Sequence, residues 1–187
     1  MNSPDTIITK RLVLKPLKDS DANQIAELAN NINIAKNLGT MPHPYSIKDA
    51  RAWIKRQNNE RGIDHFHFGL FEKTDEAAKA GVKGVISVFN LIVTKPEYGF
   101  WLGEPFWGRG LMSEAAIGLR DFVFQQLNAP CLLSKHLLDN AASGRVAEKC
   151  GLKEIDHSMI WSRARGKFEL GRTLKLERID WERLKGL

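Results

Sequence analysis

Phe100-Trp-Leu-Gly-Glu-Pro-Phe-Trp-Gly-Arg-Gly-Leu-Met-Ser-Glu-Ala-Ala116 is the stretch on which the fold turns. It leaves an aromatic, strand-like segment (Tyr98 to Leu102), passes a short turn into Gly108-Arg-Gly110, and enters a helical pattern. Apolar residues recur at Ala116, Leu119, Val123 and Leu127, the spacing of one helix face. A strand, a glycine loop and a helix N-terminus together make an anion site plausible, because the first-turn N–H groups and the positive end of the dipole face the same point. Glycine at 108 and 110 removes the Cβ atoms that would hold a phosphate off the backbone. Taken alone, Gly-x-Gly before a helix is more often a turn. The spacing fits neither the dinucleotide fingerprint nor the P-loop, with no third glycine at the right offset and no Gly-Lys-Ser/Thr.

Around that stretch the chain reads as one domain over residues 1–187, long enough to bury a substantial core, with ordinary apolar (43%) and charged (27%) fractions. No apolar run is long enough for a bilayer, and Met-Asn-Ser-Pro-Asp at the start lacks the pattern of a signal peptide. The expectation is a cytoplasmic protein with no membrane partner. Cys131 and Cys150 then read as free, buried thiols in a reducing compartment, too few for a metal framework. The five histidines show no ligand spacing, His65-x-His67 reading as the exposed side of a strand, so no metal is expected. A net charge of +6 favours anionic ligands: phosphorylated cofactors, acidic substrates and, with less support, nucleic acid. The one basic cluster, Arg163-Ala-Arg165-Gly-Lys167, reads as a solvated hairpin turn.

In chain order, Ile7 to Lys15 alternates as a first strand. Asp19-Ser-Asp21 caps a helix presenting Ile25, Leu28 and Ala29, and Asn30-Asn31 breaks it. After Met41-Pro-His-Pro44, Ser46 caps a helix from Ile47 to about Arg61, with Asp49 at N3 and Gly62 as the stop. His65 to Glu72, Val82 to Val93 and Glu97 to Leu102 follow as an antiparallel meander, the first two joined by a polar connection over 73–81. Beyond the glycine loop and its helix, Pro130 to Leu138 is a strand reached by a helical crossover, so it runs parallel to the strand before the loop. Asn140 caps a further helix that Gly151 ends, and Leu152 to Ser162 with Lys167 to Leu176 close the fold as a hairpin. The order β-α-α-β-β-β-α-β-α-β-β is an α/β mixed sheet with helices on both sides.

That order resembles the GNAT N-acetyltransferases, and within them the ribosomal-protein N-terminal acetyltransferases of the RimJ/RimL type. Thr9-Lys-Arg-Leu-Val-Leu-Lys-Pro-Leu17, Glu97-Tyr-Gly-Phe-Trp-Leu102, Phe106-Trp-Gly-Arg-Gly-Leu-Met-Ser-Glu-Ala115 and Asp139-Asn-Ala-Ala-Ser-Gly-Arg-Val-Ala-Glu-Lys-Cys-Gly-Leu152 carry the resemblance over nearly the whole chain. It implies a GNAT fold with splayed fourth and fifth strands and acetyl-CoA (coenzyme A) as co-substrate. The backbone of Phe100, Trp101 and Leu102 would bond the pantetheine arm in that splay. Trp107, Gly108, Arg109, Gly110, Leu111, Met112 and Ser113 would wrap the pyrophosphate, and Asn140 and Ser143 would add cofactor contacts. Arg109 is either a phosphate contact or an exposed loop arginine. Trp107 and Met112 depart from the wider family's loop, which often begins with Gln or Arg and ends with Gly or Ala. Ala147 stands where many relatives carry a tyrosine that protonates the departing thiolate, leaving Tyr45 and Tyr98 as the tyrosines of the chain.

The mechanism the resemblance implies is direct attack by an uncharged amine, with a backbone N–H near Phe100 or Trp101 polarising the thioester carbonyl. Glu97 is the general-base candidate, acting through water, against the plain reading of a solvated strand-end glutamate. Ser143 either serves the cofactor sulfur or bonds back to a helix carbonyl. Asn140 is explained by its cap as well as by cofactor binding, and His136 is either a proton relay or an ordinary strand histidine. The acceptor is read as a protein or peptide N-terminus. A small amine (antibiotic, polyamine or amino acid) and a non-catalytic CoA sensor are the alternatives, and a homodimer stays open.

Overall fold

The structure is a computed structural model that describes residues 6–73 and 81–187. Most of the polar connection read over 73–81, and the first five residues, lie outside the described part. Ile7 to Lys15 is not one strand but two. β1 (Ile7–Ile8) and β2 (Leu12–Lys15) pair antiparallel with Ile7 opposite Leu14, and Thr9 makes the turn by bonding its N–H and hydroxyl to Leu12 O (2.9 and 3.3 Å). Alternation hides such a turn, since the period of two runs on through it.

Three helices follow. α1 (Ala22–Ala29) buries Ala22, Ile25, Ala26 and Ala29, with Leu28 only partly covered. Asp21 does not cap it; its carboxylate accepts the Lys18 N–H at 2.7 Å and closes a 3-10 turn instead. Asn31 caps the short α2 (Ile32–Ala35) by accepting from Asn33 N at 2.8 Å. α3 (Ile47–Asn59) starts on the expected Ser46, where Ser46 and Asp49 satisfy each other's N–H groups in a capping box.

β3 (Phe66–Glu72), β4 (Val82–Phe89) and β5 (Glu97–Leu102) form the antiparallel meander. β4 ends at Phe89, short of the expected Val93, because Asn90 turns left-handed at φ 63. α4 (Leu111–Gln125), β6 (Cys131–Leu137), α5 (Ala141–Lys149) and the hairpin β7 (Lys153–Ser162) and β8 (Lys167–Glu177) complete one sheet, ordered β1-β2-β3-β4-β5-β6-β8-β7. Its β5–β6 pair is parallel, as the crossover required. An unanticipated C-terminal helix, α6 (Arg178–Lys185), covers α4: Trp181 stacks on Phe124 at 5.0 Å and donates its indole N–H to Asp121 Oδ1 at 2.9 Å.

The sheet has a core on each face. On one, Leu12, Phe68, Ile86, Tyr98 and Leu102 meet Leu111, Ala115 and Leu119 of α4 and Ala147 of α5. On the other, Leu17, Phe71, Val82 and Val85 meet Ile25 of α1 and Ala50 and Ile54 of α3. Among the described residues no helix is long and apolar enough to cross a membrane, and Cys131 and Cys150 are buried and unpaired.

Candidate active site at the divergence of two parallel strands

β5 and β6 touch over two rungs, Glu97 opposite Leu133 and Tyr98 opposite Ser134. Beyond these, Gly99 to Leu102 pair with β4 alone, and Lys135 to Leu137 pair with β8 alone. The strands diverge into a wedge whose facing edges carry backbone N–H and C=O groups that no neighbouring strand takes. Such edges suit an extended polar ligand lying between them.

The glycine loop stands at the open end of that wedge. A turn over Glu104–Phe106 leads to Trp107, whose indole N–H donates to Leu102 O at 2.7 Å, so that carbonyl is already committed. Gly108 and Gly110 both sit at φ 73, in the left-handed region that suits glycine, and a Cβ on Gly108 would meet nothing within 4 Å. Gly110 is the N-cap of α4 without any side-chain cap, and the first amide returned into the helix is that of Glu114, to Gly110 O at 3.1 Å. The amides of Leu111, Met112 and Ser113 therefore point out of the first turn. Leu111 and Met112 bury their side chains in the core and have only their amides to offer, while Ser113 is half-buried. Arg109 is not an idle loop arginine: its guanidinium forms an ion pair with Glu72 (2.5 Å). Glu114, in the first turn of α4, accepts from Thr9 Oγ1, Arg11 N and Arg11 Nε, each at 2.6 Å. Burial opposes its ionisation, but the bonds from Thr9 and Arg11 hold it below the usual carboxylate range.

On the α4/α5 face, Asn140 Oδ1 accepts from Ser143 N at 3.1 Å, the cap the sequence predicted. Ser143 is half-buried, and among the described residues its hydroxyl bonds no helix carbonyl. Ala147 is fully buried, so the position of the family's tyrosine is filled by core packing. Tyr98 and His136 approach from the strands. The Tyr98 hydroxyl and His136 Nδ1 are buried with no hydrogen-bond partner, although Ser134 and Cys150 flank the phenol. Burial pushes the Tyr98 phenol well up; burial, and then Arg172, push His136 down. The His136 ring lies against α5 where residue 144 is glycine, and a Cβ there would stand 3.2 Å from Nε2.

Glu97 points to the opposite face, since Tyr98, Phe100 and Leu102 alternate toward α4 and Trp101 packs toward α1 and α3. It stands at the start of β5, on the first of the two rungs shared with β6, and its carboxylate bridges to Lys135 Nζ at 2.9 Å across the crotch of the wedge. His67, expected on an exposed side, also lies on this face, covered by α3. Its ring meets Trp53 edge-on at 5.3 Å and Nδ1 is hydrogen-bonded to Ser87 Oγ. Burial, then His65 and Arg61, bring its pKa down to about 3. Lys135, Ser87 and Trp53 carried no sequence signal as site residues; their juxtaposition comes from strand register.

The β7–β8 hairpin closes the open end. β8 leaves β6 just past Gly171 and Leu137, where Leu170 O still accepts from Leu138 N at 2.9 Å, so Lys167 to Glu169 pair only with β7 and project beyond the sheet. The tip reaches the chain after α2: Arg163 N donates to Gly39 O at 3.1 Å, and Arg165 Nε to Lys36 O at 2.9 Å. Arg165 also bridges Asp139 (2.8 Å) and Glu169 (3.1 Å) with its side chain 19% exposed. The basic cluster is the expected turn, but Arg165 is a clasp rather than a solvated charge.

A parallel pair of strands thus parts beside an uncapped glycine-loop helix, and comparison with known proteins gives the family. The acetyltransferase (GNAT) domain family matches residues 11–153, most of the chain, and the chain belongs to that family. It is an acetyltransferase domain of GNAT type. An N-acetyltransferase of undefined role, p20 of Bacillus licheniformis, is 25% identical over 169 residues, covering 87% of this chain and 90% of that one. RimL, the ribosomal L7/L12 alpha-N-protein acetyltransferase solved with coenzyme A, superposes with a TM-score of 0.78 at 18% identity, covering 92% and 97% of the two chains. The spermidine N-acetyltransferase of Vibrio cholerae, solved with CoA and spermine, gives 0.74 at 18%, covering 91% and 97%. At these identities the structural likeness speaks for the fold.

Proposed function

We propose that the chain transfers an acetyl group from acetyl-CoA to the N-terminal amine of a protein or peptide, in the manner of the RimJ/RimL type, working in the cytoplasm as one unit over residues 1–187. The observation that carries this reading is the wedge between β5 and β6 opening onto the glycine loop. The residues present fit acetyl-CoA: left-handed Gly108 leaves open space for a phosphate, the α4 amides are uncapped, and buried polar atoms of Tyr98 and His136 lack partners beside the wedge.

Acetyl-CoA supplies the acetyl group already activated as a thioester. The amides of Gly108 to Ser113 would hold the pyrophosphate, needing no lysine or metal, since the Trp107 amide is already donated to Glu104 O. The free edge of β5 around Phe100 and Trp101 holds the pantetheine arm, Leu102 contributing less because its carbonyl is taken by Trp107. A backbone N–H near Phe100 or Trp101 polarises the carbonyl. Asn140 orders the start of α5 and so places the Ser143 hydroxyl, which has no competing intrahelical bond, for the sulfur. Glu97 takes the amine proton through water, with Lys135 holding its carboxylate at the crotch of the wedge.

A protein N-terminus fits better than a polycation. Two carboxylates on the acceptor face are already paired with cations, Glu97 with Lys135 and Glu169 with Arg165 and Lys167. A two-part experiment tests the reading. CoA titrated against wild type and Gly110→Asp is expected to lose affinity on the order of a hundredfold in the variant, since the carboxylate would meet the phosphates at the helix N-terminus. Aspartate tolerates the left-handed region, so the fold survives. Unchanged affinity would sink the loop assignment. Amine-dependent CoA release is then expected with peptides; release with polyamines alone would move the acceptor, and none at all would leave a CoA sensor.

A further inference from the structure

The Thr9-Lys-Arg11 segment has no role in the mechanism above, yet three hydrogen bonds fasten it to the first turn of α4 and a fourth to the glycine loop. Thr9 Oγ1, Arg11 N and Arg11 Nε converge on the Glu114 carboxylate in the first turn of α4. Arg11 Nη1 donates to Arg109 O, the carbonyl between the two glycines, at 2.9 Å. Nη2 remains. A Cβ built on Gly110 would stand 3.6 Å from it, so this nitrogen lies over the N-cap of α4. Among the described residues it has no hydrogen-bond acceptor, and the Arg11 side chain is 45% exposed.

The charges sharpen the point. Glu114 stands one turn into a helix whose N-terminus is offered to an anion, and alone it would repel a phosphate. Arg11 cancels that charge. Arg109, the loop's own arginine, cannot contribute freely because Glu72 holds it. The guanidinium left facing the loop belongs to the turn between β1 and β2, not to the loop. Arginine suits such a post because its planar fork keeps separate N–H edges for separate partners.

We propose that Arg11 is a donor-binding residue: Nε and Nη1 lock α4 and the glycine loop together, and Nη2 takes an oxygen of the CoA pyrophosphate. This rests on the acetyl-CoA reading above and adds to it the residue that supplies positive charge. It also gives the Thr9-Lys-Arg11 motif a function, as the strap that sets the loop.

Binding of CoA, 3′-dephospho-CoA and pantetheine to wild type, Arg11→Ala and Arg11→Lys tests it, with circular dichroism and thermal melts to confirm folding. Arg11→Ala is expected to weaken CoA and dephospho-CoA alike, on the order of tenfold, since one charge-assisted bond and the loop's setting are lost. Pantetheine, which lacks the diphosphate, is expected to bind both proteins equally. Arg11→Lys keeps a charge without the fork and is expected to lose severalfold for CoA and dephospho-CoA but not for pantetheine, which keeps the test decisive should the alanine variant fail to fold. Equal CoA affinity in a folded variant overturns the proposal. So does an equal loss for pantetheine, which would make Arg11 merely structural, or a loss that vanishes with dephospho-CoA, which would place the contact on the 3′-phosphate. Wild type failing to bind CoA at all would remove both this inference and the donor reading; wild type binding with Arg11 variants unaffected removes this one alone.

Discussion

The two faces of the β5–β6 wedge are built from different materials. The α4/α5 face, assigned to the donor, is mostly backbone: uncapped amides, left-handed glycines and strand edges, with Asn140 capping the neighbouring helix. The α1/α3 face, assigned to the acceptor, is mostly side chains: Glu97 with Lys135, His67 with Ser87, and Arg165 clasping the chain after α2. The difference follows from the ligands. A diphosphate presents the same anion whatever enzyme uses it, so fixed amides suffice. Acceptors differ in charge and shape, and only side chains distinguish those.

If the faces divide the work in this way, substitutions on one should leave the other's ligand untouched. The largest effect is expected from Glu97→Gln, which keeps the shape and removes the base. Turnover should fall on the order of a hundredfold to ten-thousandfold while CoA affinity holds. Equal CoA release by the variant and wild type would return Glu97 to a structural ion pair with Lys135.

Next comes Arg165→Ala, which unties the hairpin tip from Lys36 O, Asp139 and Glu169. The expected result is a rise of about tenfold in the acceptor KM with the CoA Kd unchanged, since bonds of this type are worth about 1.5–3 kcal/mol each when charged. Equal losses for both substrates would show that the hairpin serves the whole wedge and would blur the division.

The donor face was largely legible in the sequence because its signals are local. Gly108-Arg-Gly110 ahead of an apolar period and Asn140 three residues before Ser143 each act within one helical turn. The acceptor face was not. That β5 and β6 pair for only two rungs is set by what flanks them, β4 and β8, and nothing inside Glu97–Leu102 announces it. Glu97 stands at the start of its strand, as read, but nothing local to it announced the ion pair with Lys135. His67 looked exposed because alternation tells which residues share a face and not which helix covers it; Trp53 of α3 does. Arg165 looked solvated because its partners stand in segments far off in sequence, Lys36 and Asp139. The Thr9 turn was missed for a related reason, since its hydrophobic period runs unbroken into β2.

A third, smaller effect probes burial on the acceptor face by pH. His67 in the folded state titrates near 3, against about 6.5 for an unfolded histidine. Between those values the unfolded chain binds a proton that the native site refuses, so stability falls as pH falls through the window, by about 1.4 kcal/mol per pH unit. His136, also held down by burial, adds a slope of the same sign. The depressed carboxylates Glu114, Asp121 and Asp139 act only lower, where unfolded carboxylates begin to protonate. Denaturant melts of wild type and His67→Phe between pH 6 and 4.5 should therefore differ in slope by about one proton, whatever the variant's baseline stability. Parallel slopes would mean that His67 is wetter than its contacts with Trp53 and Ser87 imply.

The smallest effect is expected from the cysteines, and it bears on the chemistry rather than the fold. A transferase that passed its acetyl group through a thiol would need a reactive thiolate beside the wedge. Burial pushes the Cys150 thiol up to about 12 and raises Cys131 as well. Cys150 is turned into the core behind Tyr98, and Cys131 lies at the far, paired end of β6 from the glycine loop. Neither can present a thiolate at neutral pH. Iodoacetamide should therefore leave the native protein unlabelled and its turnover unchanged, and Cys131→Ala should match wild type within about twofold, as direct attack by the amine requires. A burst of acetyl transfer before acceptor is added, lost in Cys150→Ala, would replace direct attack with a covalent route and join the donor face to the acceptor face through a side chain after all.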